Sequence, residues 1–298
     1  MIPRFVVALV LAASTAAWGQ ASSPDTKIPF VDAHVHLNDV AMQLDLMARH
    51  GATHAVVFWG GRSDNDTVRR DAMAHRGKLI AFASISPERT AYRPLWESND
   101  KELLDTLDKL LATGDYKGIG EISVTHFPAQ GFAETDFSPT APMAKGILSL
   151  ARKYRVPVLL HIESTRMAEL SSLLEEFRDV PVIWAHGGYT PYFLARRMLE
   201  RHPNLHYELS ARTWAHHPRS PDYTILKDGE KAWPEWLDLI ERQPHRFIVG
   251  TDASNRSASA DAMKFESVQN LLRQLSPKAR AMVGRDNILR LVGIVPGG

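Results

Sequence analysis

The 298-residue sequence contains no cysteine. Disulfides, thiolate metal ligands, a cysteine nucleophile and lipid attachment through cysteine are therefore excluded, and any metal must be held by histidine and carboxylates. Charge of one sign is equally scarce. Lys and Arg total 35 against 34 Asp and Glu, and no run of basic residues stands out, which argues against a nucleic-acid partner. The N-terminal apolar run, Phe5 to Ala13, is shorter than the about 20 residues a membrane span needs. With Arg4 before it and Ala17-Trp18-Gly19 or Gly19-Gln20-Ala21 after it, it reads as a signal peptide over residues 1–19, cleaved after 19 or 21. The mature chain is then expected to be exported, periplasmic or secreted, close to neutral, and without a stable membrane span. No glycine-rich phosphate turn follows the first apolar run; the sequence there is His34-Val35-His36-Leu37-Asn38, which disfavours a doubly wound nucleotide-binding sheet. Internal repeats and low-complexity tracts are also absent.

What remains is a linker over 20–28 and one long patterned region over 29–298. Eight short apolar runs punctuate that region: Phe30–His36, His54–Trp59, Leu79–Ser84, Gly118–Ile122, Pro157–Ile162, Pro181–His186, Leu205–Ser210 and Arg246–Asp252. They are rich in Val, Ile, Leu and Ala and do not alternate strictly, as expected of strands buried on both faces. Segments of helical period lie between them, among them Lys101–Ala112, Met143–Tyr154, Met167–Phe177, Phe193–Arg201 and Glu235–Glu241. Asp100 is placed to cap the first of these, and Thr113-Gly114 to stop it. Strand–helix alternation repeated eight times predicts a single-domain α/β fold, a (β/α)₈ TIM barrel.

The polar residues fall where such a barrel would need them. The first run ends in Asp32-Ala33-His34-Val35-His36, and a period of two puts His34 and His36 on one face, pointing inward. The fourth ends in Glu121, the fifth in His161, the sixth in His186 and the eighth in Asp252. In a barrel all eight C-terminal strand ends meet at one rim, where the active site lies. Imidazole and carboxylate together suit a divalent metal, Zn²⁺ above all.

The set His34-x-His36, Glu121, His161, His186 and Asp252 resembles the amidohydrolase superfamily of metal-dependent hydrolases. The "HGG" after the sixth run, "HPNLHYELSAR" and "FIVGTDAS" are similar to its amidohydrolase-related (amidohydrolase-2) branch. The stretch "KGIGEI" is similar to the fourth-strand motif of TatD-like hydrolases, where Glu is a metal ligand. The resemblance implies one or two divalent ions. His34, His36 and Asp252 would hold the first, His161 and His186 a second, and Glu121 would bridge them, with Lys117 as a rival bridge. In single-metal members His186 instead orients or polarises the substrate. Metal-bound water is the implied nucleophile and Asp252 its base, so Asp252 and His186 are the candidate catalytic residues. Asp32, two residues before His34, is expected either to hold an imidazole N–H or to make a buried structural hydrogen bond.

Substrate selection is expected from two long loops, 123–142 and 211–234. Arg212 could grip a substrate carboxylate or phosphate as a fork, or form a surface ion pair. Trp59, His126, Tyr189 and Trp214 are candidate pocket walls, and His216-His217 reads as a solvated loop pair. The implied activity is hydrolysis of an ester, lactone, amide or phosphoester of a small molecule. A single-metal decarboxylase and a TatD-like nuclease are the alternatives. A homo-oligomer is left open.

Overall fold

The computed structural model describes residues 26–85, 93–98, 100–128, 134–215 and 223–295. The signal peptide, most of the linker and His216-His217 lie outside the described residues. Among the described residues eight strands alternate with eight longer helices, besides two two-stranded hairpins and several shorter helices. The strands are β1 (Phe30–Leu37), β2 (Ala52–Trp59), β3 (Leu79–Ala81), β4 (Ile119–Ser123), β5 (Val158–His161), β6 (Val182–Trp184), β7 (Leu205–Glu208) and β8 (Phe247–Ile248). The helices are α1 (Val40–His50), α2 (Asn65–Ala74), α3 (Lys101–Ala112), α4 (Pro142–Tyr154), α5 (Met167–Glu176), α6 (Tyr192–Arg201), α7 (Pro234–Arg242) and α8 (Ala258–Gln274). Their caps come straight from the sequence: Asp39, Asp64, Asp100 and Ser257 each accept a hydrogen bond from a first-turn backbone N–H, satisfying donors the helix cannot. In α3, Leu103, Leu107 and Leu111 are buried at a spacing of four, the inward stripe that its pattern predicted.

These eight strands pair in parallel, in the orders β1–β2–β3 and β4–β5–β6–β7–β8. Backbone hydrogen bonds close both gaps. Ala83 N and Gly120 N link the end of β3 to β4, while Ala33 N, His36 N and Asp252 N link β1 to the segment after β8. The ring is the TIM barrel expected from the sequence. Its apolar side chains sort into two layers. Val31, Ala33, Val56, Phe58, Ile80, Phe82, Leu159, Ile183, Ala185 and Ile248 fill the inside, closed off by Ile288, Leu289 and Val292. Alternate residues on the same strands, such as Val35, Val57, Val158 and Leu160, pack outward against the helices. Among the described residues no helix is long and apolar enough to cross a membrane.

Two irregularities matter for the site. The register of β1 against β2 slips between Asp32 and Val35, and that of β4 against β5 between Ile119 and Ile122. In each case the first strand uses one residue more than its partner, the signature of a β-bulge, which re-aims side chains. Strict alternation from inward Val31 would send His34 outward; the bulge returns His34 and His36 to the inside. Likewise Ile119 and Ile122 both pack outward, so the bulge leaves Gly120 and Glu121 together opposite inward Leu159. Only glycine fits at 120, because a Cβ there would meet Leu159 Cβ at 2.7 Å.

Candidate metal centre

His34, His36, Glu121, His161, His186 and Asp252 converge at the C-terminal mouth of the barrel. His36 Nε2 lies 3.1 Å from Glu121 Oε2 and 3.4 Å from Asp252 Oδ1. His34 Nε2 lies 3.5 Å from each of the same two oxygens, and His186 Nε2 lies 3.7 Å from Glu121 Oε1. Donor atoms about 2.1 Å from a common centre at tetrahedral angles stand about 3.4 Å apart, so this spacing fits a small divalent cation. The tautomers fit as well. His34 Nδ1 donates to Glu208, His36 Nδ1 to the carbonyl of Trp59 and His186 Nδ1 to the carbonyl of Ser210, so each ring, once neutral, would present its Nε2 lone pair to the centre. That arrangement is the usual one for metal-binding histidine. His34 Nε2 is buried and has no hydrogen-bond partner, a costly state that a cation would relieve.

His161 is held differently. Its Nδ1 donates to Glu121 Oε1 at 2.9 Å and its Nε2 to Glu163 Oε1 at 3.0 Å. Burial opposes its charge, but the hydrogen bonds to Glu121 and Glu163 raise its pKa to about 10. Both of its ring nitrogens thus face carboxylates, and His161 is not in either donor triad that lies within 4.8 Å, His34–Glu121–His186 or His34–His36–Asp252. His36 titrates alike: burial is outweighed by Asp252 and Glu121, lifting it to about 9. His186 is pushed down to about 4 by burial and by the neighbouring His161. Asp252 is held well below the usual carboxylate range. Burial alone would raise it, but the His36 hydrogen bond and the charges of His34 and Lys264 prevail.

The sequence profile of the amidohydrolase family matches residues 31–294. The chain belongs to the amidohydrolase family. A search of curated proteins finds no match to its sequence. Among solved structures, this amidohydrolase is similar to an uncharacterized TIM-barrel protein from Bordetella bronchiseptica at 14% identity and TM-score 0.65, covering 89% of this chain and 99% of that one. It is also similar to a probable 2-pyrone-4,6-dicarboxylic acid hydrolase from Acinetobacter baumannii, at 14% identity and TM-score 0.54 over 90% of this chain and 100% of that one. A third likeness, at 11% identity and TM-score 0.52 over 87% and 82% of the two chains, is to the 5-carboxyvanillate decarboxylase of Novosphingobium aromaticivorans, solved with manganese. Family and fold together make the chain an enzyme of the amidohydrolase superfamily, and that family generally uses divalent metals.

Several residues of the amidohydrolase lie where sequence reasoning did not put them. His186 is not in a strand: Ala185 to Tyr189 form a left-handed turn, with φ of 54°, 51°, 57° and 53° at His186, Gly187, Gly188 and Tyr189. Gly187 is required there, since a Cβ would overlap the ring of Tyr207 at 1.7 Å. Arg212, expected at a substrate anion or in a surface pair, is 1% exposed. Its Nη1 donates to the Tyr207 hydroxyl at 2.6 Å and the His186 carbonyl at 3.4 Å, and its Nη2 to the Thr190 carbonyl at 2.9 Å. It braces the turn from behind. Asp32 accepts from Thr251 N, Thr251 Oγ1 and His34 N, which is the structural alternative rather than an imidazole contact. Burial raises its carboxyl to about 7 against those hydrogen bonds. Lys117 is exposed and donates to the Gly114 carbonyl, far from a bridging position.

Of the expected pocket walls, Tyr189 stacks on His186 with ring centroids 5.2 Å apart, and His126 lies 4.7 Å from His161. Trp59 contributes its carbonyl to His36, and Trp214 donates to the Thr251 carbonyl. Two acids escaped the sequence reading. Glu208, at the end of β7 and fully buried, accepts from His34 Nδ1, His186 N, Ser210 N and Ser210 Oγ. Glu163, two residues past His161, holds the far side of that ring. A carboxylate at a strand end was the signal used for Glu121 and Asp252, and it applies equally to Glu208.

Proposed function

We propose that the protein is a hydrolase in which a single divalent ion, Zn²⁺ by its donor set, activates water against an ester, lactone, amide or phosphoester of a small molecule. The observation that carries this reading is the approach of His34 and His36 Nε2 to oxygens of Glu121 and Asp252 at 3.1–3.5 Å, within two overlapping donor triads, His34–His36–Asp252 and His34–Glu121–His186, each inside 4.8 Å. A bound divalent cation lowers the pKa of water from 15.7 toward about 7 and polarises the oxygen of the scissile group. The protein's own part follows from its geometry. The side chains of His36 and Asp252 are 30% and 23% exposed, against 0–6% for His34, Glu121 and His186, so the substrate approaches over His36 and Asp252. Asp252, ionised at neutral pH, takes the proton from the attacking water and passes it to the leaving group. His186, neutral and fixed through Nδ1, aims Nε2 at the reacting oxygen. Imidazolium His161 balances the charge of Glu121 and Glu163.

Tyr189, Tyr223 and Phe127 stack in sequence beside His186, with centroids 5.1 and 6.1 Å apart and planes within 26°. Such a shelf favours a flat, unsaturated substrate body. Chelation followed by Zn²⁺ or Mn²⁺ addition, assayed on a panel of lactones, esters and amides, tests the reading. Activity must vanish and return, and Asp252→Asn should lower kcat by roughly 10²–10⁴-fold per bound metal ion. Turnover that ignores the chelator would refute the hydrolase assignment.

Decarboxylation is the second reading. Glu121 among four imidazoles speaks against it, and Glu121→Ala with unchanged metal content and activity would favour it. A nuclease role is disfavoured by the near-neutral charge, and salt-dependent DNA cleavage would revive it. An exported location is proposed from the leader alone, and N-terminal mass analysis of the secreted or periplasmic protein tests it.

A further inference from the structure

A second cavity opens one imidazole away from the candidate metal centre. It holds about 270 Å³ and is lined by Thr125, His126, Glu134, Thr135, Glu163 and Arg166, among others. Whole small-molecule sites occupy about 300–1,000 Å³, so this chamber suits one end of a ligand whose remainder lies elsewhere. Its wall is the hairpin pairing Thr125–His126 with Thr135–Asp136, and it shares Glu163 and His126 with the His161 side of the centre.

Two of the residues that line it each carry a buried polar atom with no hydrogen-bond partner. Glu163 is 2% exposed; its Oε1 accepts from His161 Nε2 and Phe127 N, but its Oε2 accepts nothing. Thr135, 9% exposed, likewise leaves Oγ1 without a hydrogen bond. Buried acceptors in this state are rare and costly in native proteins. The charge around them is mainly negative, and its cations are already engaged: His161 lies between Glu163 and Glu121. Arg166, the basic residue of the wall, is committed through Nε and Nη2 to Asp136 and through Nη1 to Glu169, and Glu134 adds a negative charge at the rim. The chamber therefore offers acceptors and negative charge to whatever enters it, and repels a carboxylate.

We propose that this chamber is a subsite for a primary ammonium group at the non-reacting end of the substrate, which donates to Glu163 Oε2 and Thr135 Oγ1 while the scissile group sits at the metal centre. The inference rests on the metal-centre reading and narrows its substrates to cationic ones.

Three hydroxamates of equal length test it by binding to the Zn²⁺-loaded full chain, without any turnover. Their heads bind a metal ion, and their tails end in ammonium, methyl or carboxylate. Titration calorimetry should give the ammonium tail about tenfold tighter binding than the methyl tail, in line with one charge-assisted hydrogen bond, and the carboxylate tail the weakest. In Glu163→Gln the ammonium advantage should shrink to within about twofold, and in Thr135→Val to an intermediate value. Each is read as a ratio between tails, so that any change at the metal cancels. Equal affinity for the three tails, a preference for carboxylate, or an ammonium preference that survives both substitutions would overturn the subsite. If none of the three binds, or chelator leaves their binding unchanged, it is the metal-centre reading that fails.

Discussion

Replacing Glu208 with glutamine separates an orienting carboxylate from mere filling of space. The native side chain is fully buried, and its Oε2 accepts from Ser210 Oγ at 2.7 Å, His186 N at 3.2 Å and His34 Nδ1 at 3.3 Å, while Oε1 accepts from Ser210 N at 2.6 Å. Glutamine has one acceptor oxygen. Its better placement keeps that oxygen at Oε2 and turns the NH₂ onto the Ser210 N–H, which is then stranded in the interior at a cost of about 1–3 kcal/mol. The His34 N–H loses an ionic acceptor for a neutral one, worth about 1 kcal/mol more. Removing a buried charge returns part of this, so the net loss of metal-free stability should be about 2 kcal/mol, read by urea unfolding. The effect on the ion is larger in relative terms. Loss of the partner that fixes a ligating imidazole typically weakens metal binding 10- to 100-fold, measurable by competition with a fluorescent chelator. A metal dissociation constant within twofold of the native value, together with an unchanged unfolding midpoint, would refute the orienting role.

Three further outcomes are expected. Gly187→Ala places a methyl against the Tyr207 ring at a left-handed position, and should lower stability by about 3 kcal/mol or more, a melting-temperature drop of roughly 6–12 °C; a drop below 2 °C would contradict the turn. Arg212→Lys keeps the charge but cannot reach Tyr207, Thr190 and His186 together; calorimetry should show a loss of about 2 kcal/mol, and no loss would mean the brace is idle. His206, buried on β7, has its pKa lowered to about 3 by burial and by Arg246. It is neutral in both states above about pH 6.5; below that the unfolded chain gains a proton that the folded chain refuses, so stability falls by about 1.4 kcal/mol per pH unit, or about 2 kcal/mol by pH 5. Urea midpoints across that window should decline more slowly in His206→Gln, and parallel declines would dismiss His206 as a cause of acid unfolding.

The ring of strands was legible because runs such as Val158–His161 and Val182–Trp184 are apolar on both faces, and the helices because Asp100 and the leucines of α3 mark both a start and a stripe. The direction of side chains was harder to read. A period of two gave the right face for His34 and His36, yet it also placed Asp32 with them. The bulge between Asp32 and Val35 breaks that phase, and nothing in the local residues announces a bulge whose cause is the partner strand. Glu121 reaches the centre through a second bulge, and there Gly120 is the visible trace. Arg212 was misplaced for a different reason. A long cation after a strand suggests solvent or an anion, whereas its acceptors here, the carbonyls of His186 and Thr190, exist only once the left-handed turn has formed.

Glu121, Glu163, Glu208 and Asp252 are gathered with His34, His36, His161 and His186 in a space that excludes most water. Charges so desolvated must be compensated nearby. Without an ion, protons do this: His36 and His161 are raised to about 9 and about 10, and His34 is raised as well. Each proton sits where its ring touches a carboxylate. The protons on His34 and His36 occupy Nε2, the atoms aimed at the shared centre, whereas those on His161 point to Glu121 and Glu163. A divalent cation held by these residues would supply the positive charge that the first two protons carry, while Glu163 would keep His161 as its partner. Charge balance thus sets the carboxylates that face His34 and His36 apart from the Glu163–His161 pair.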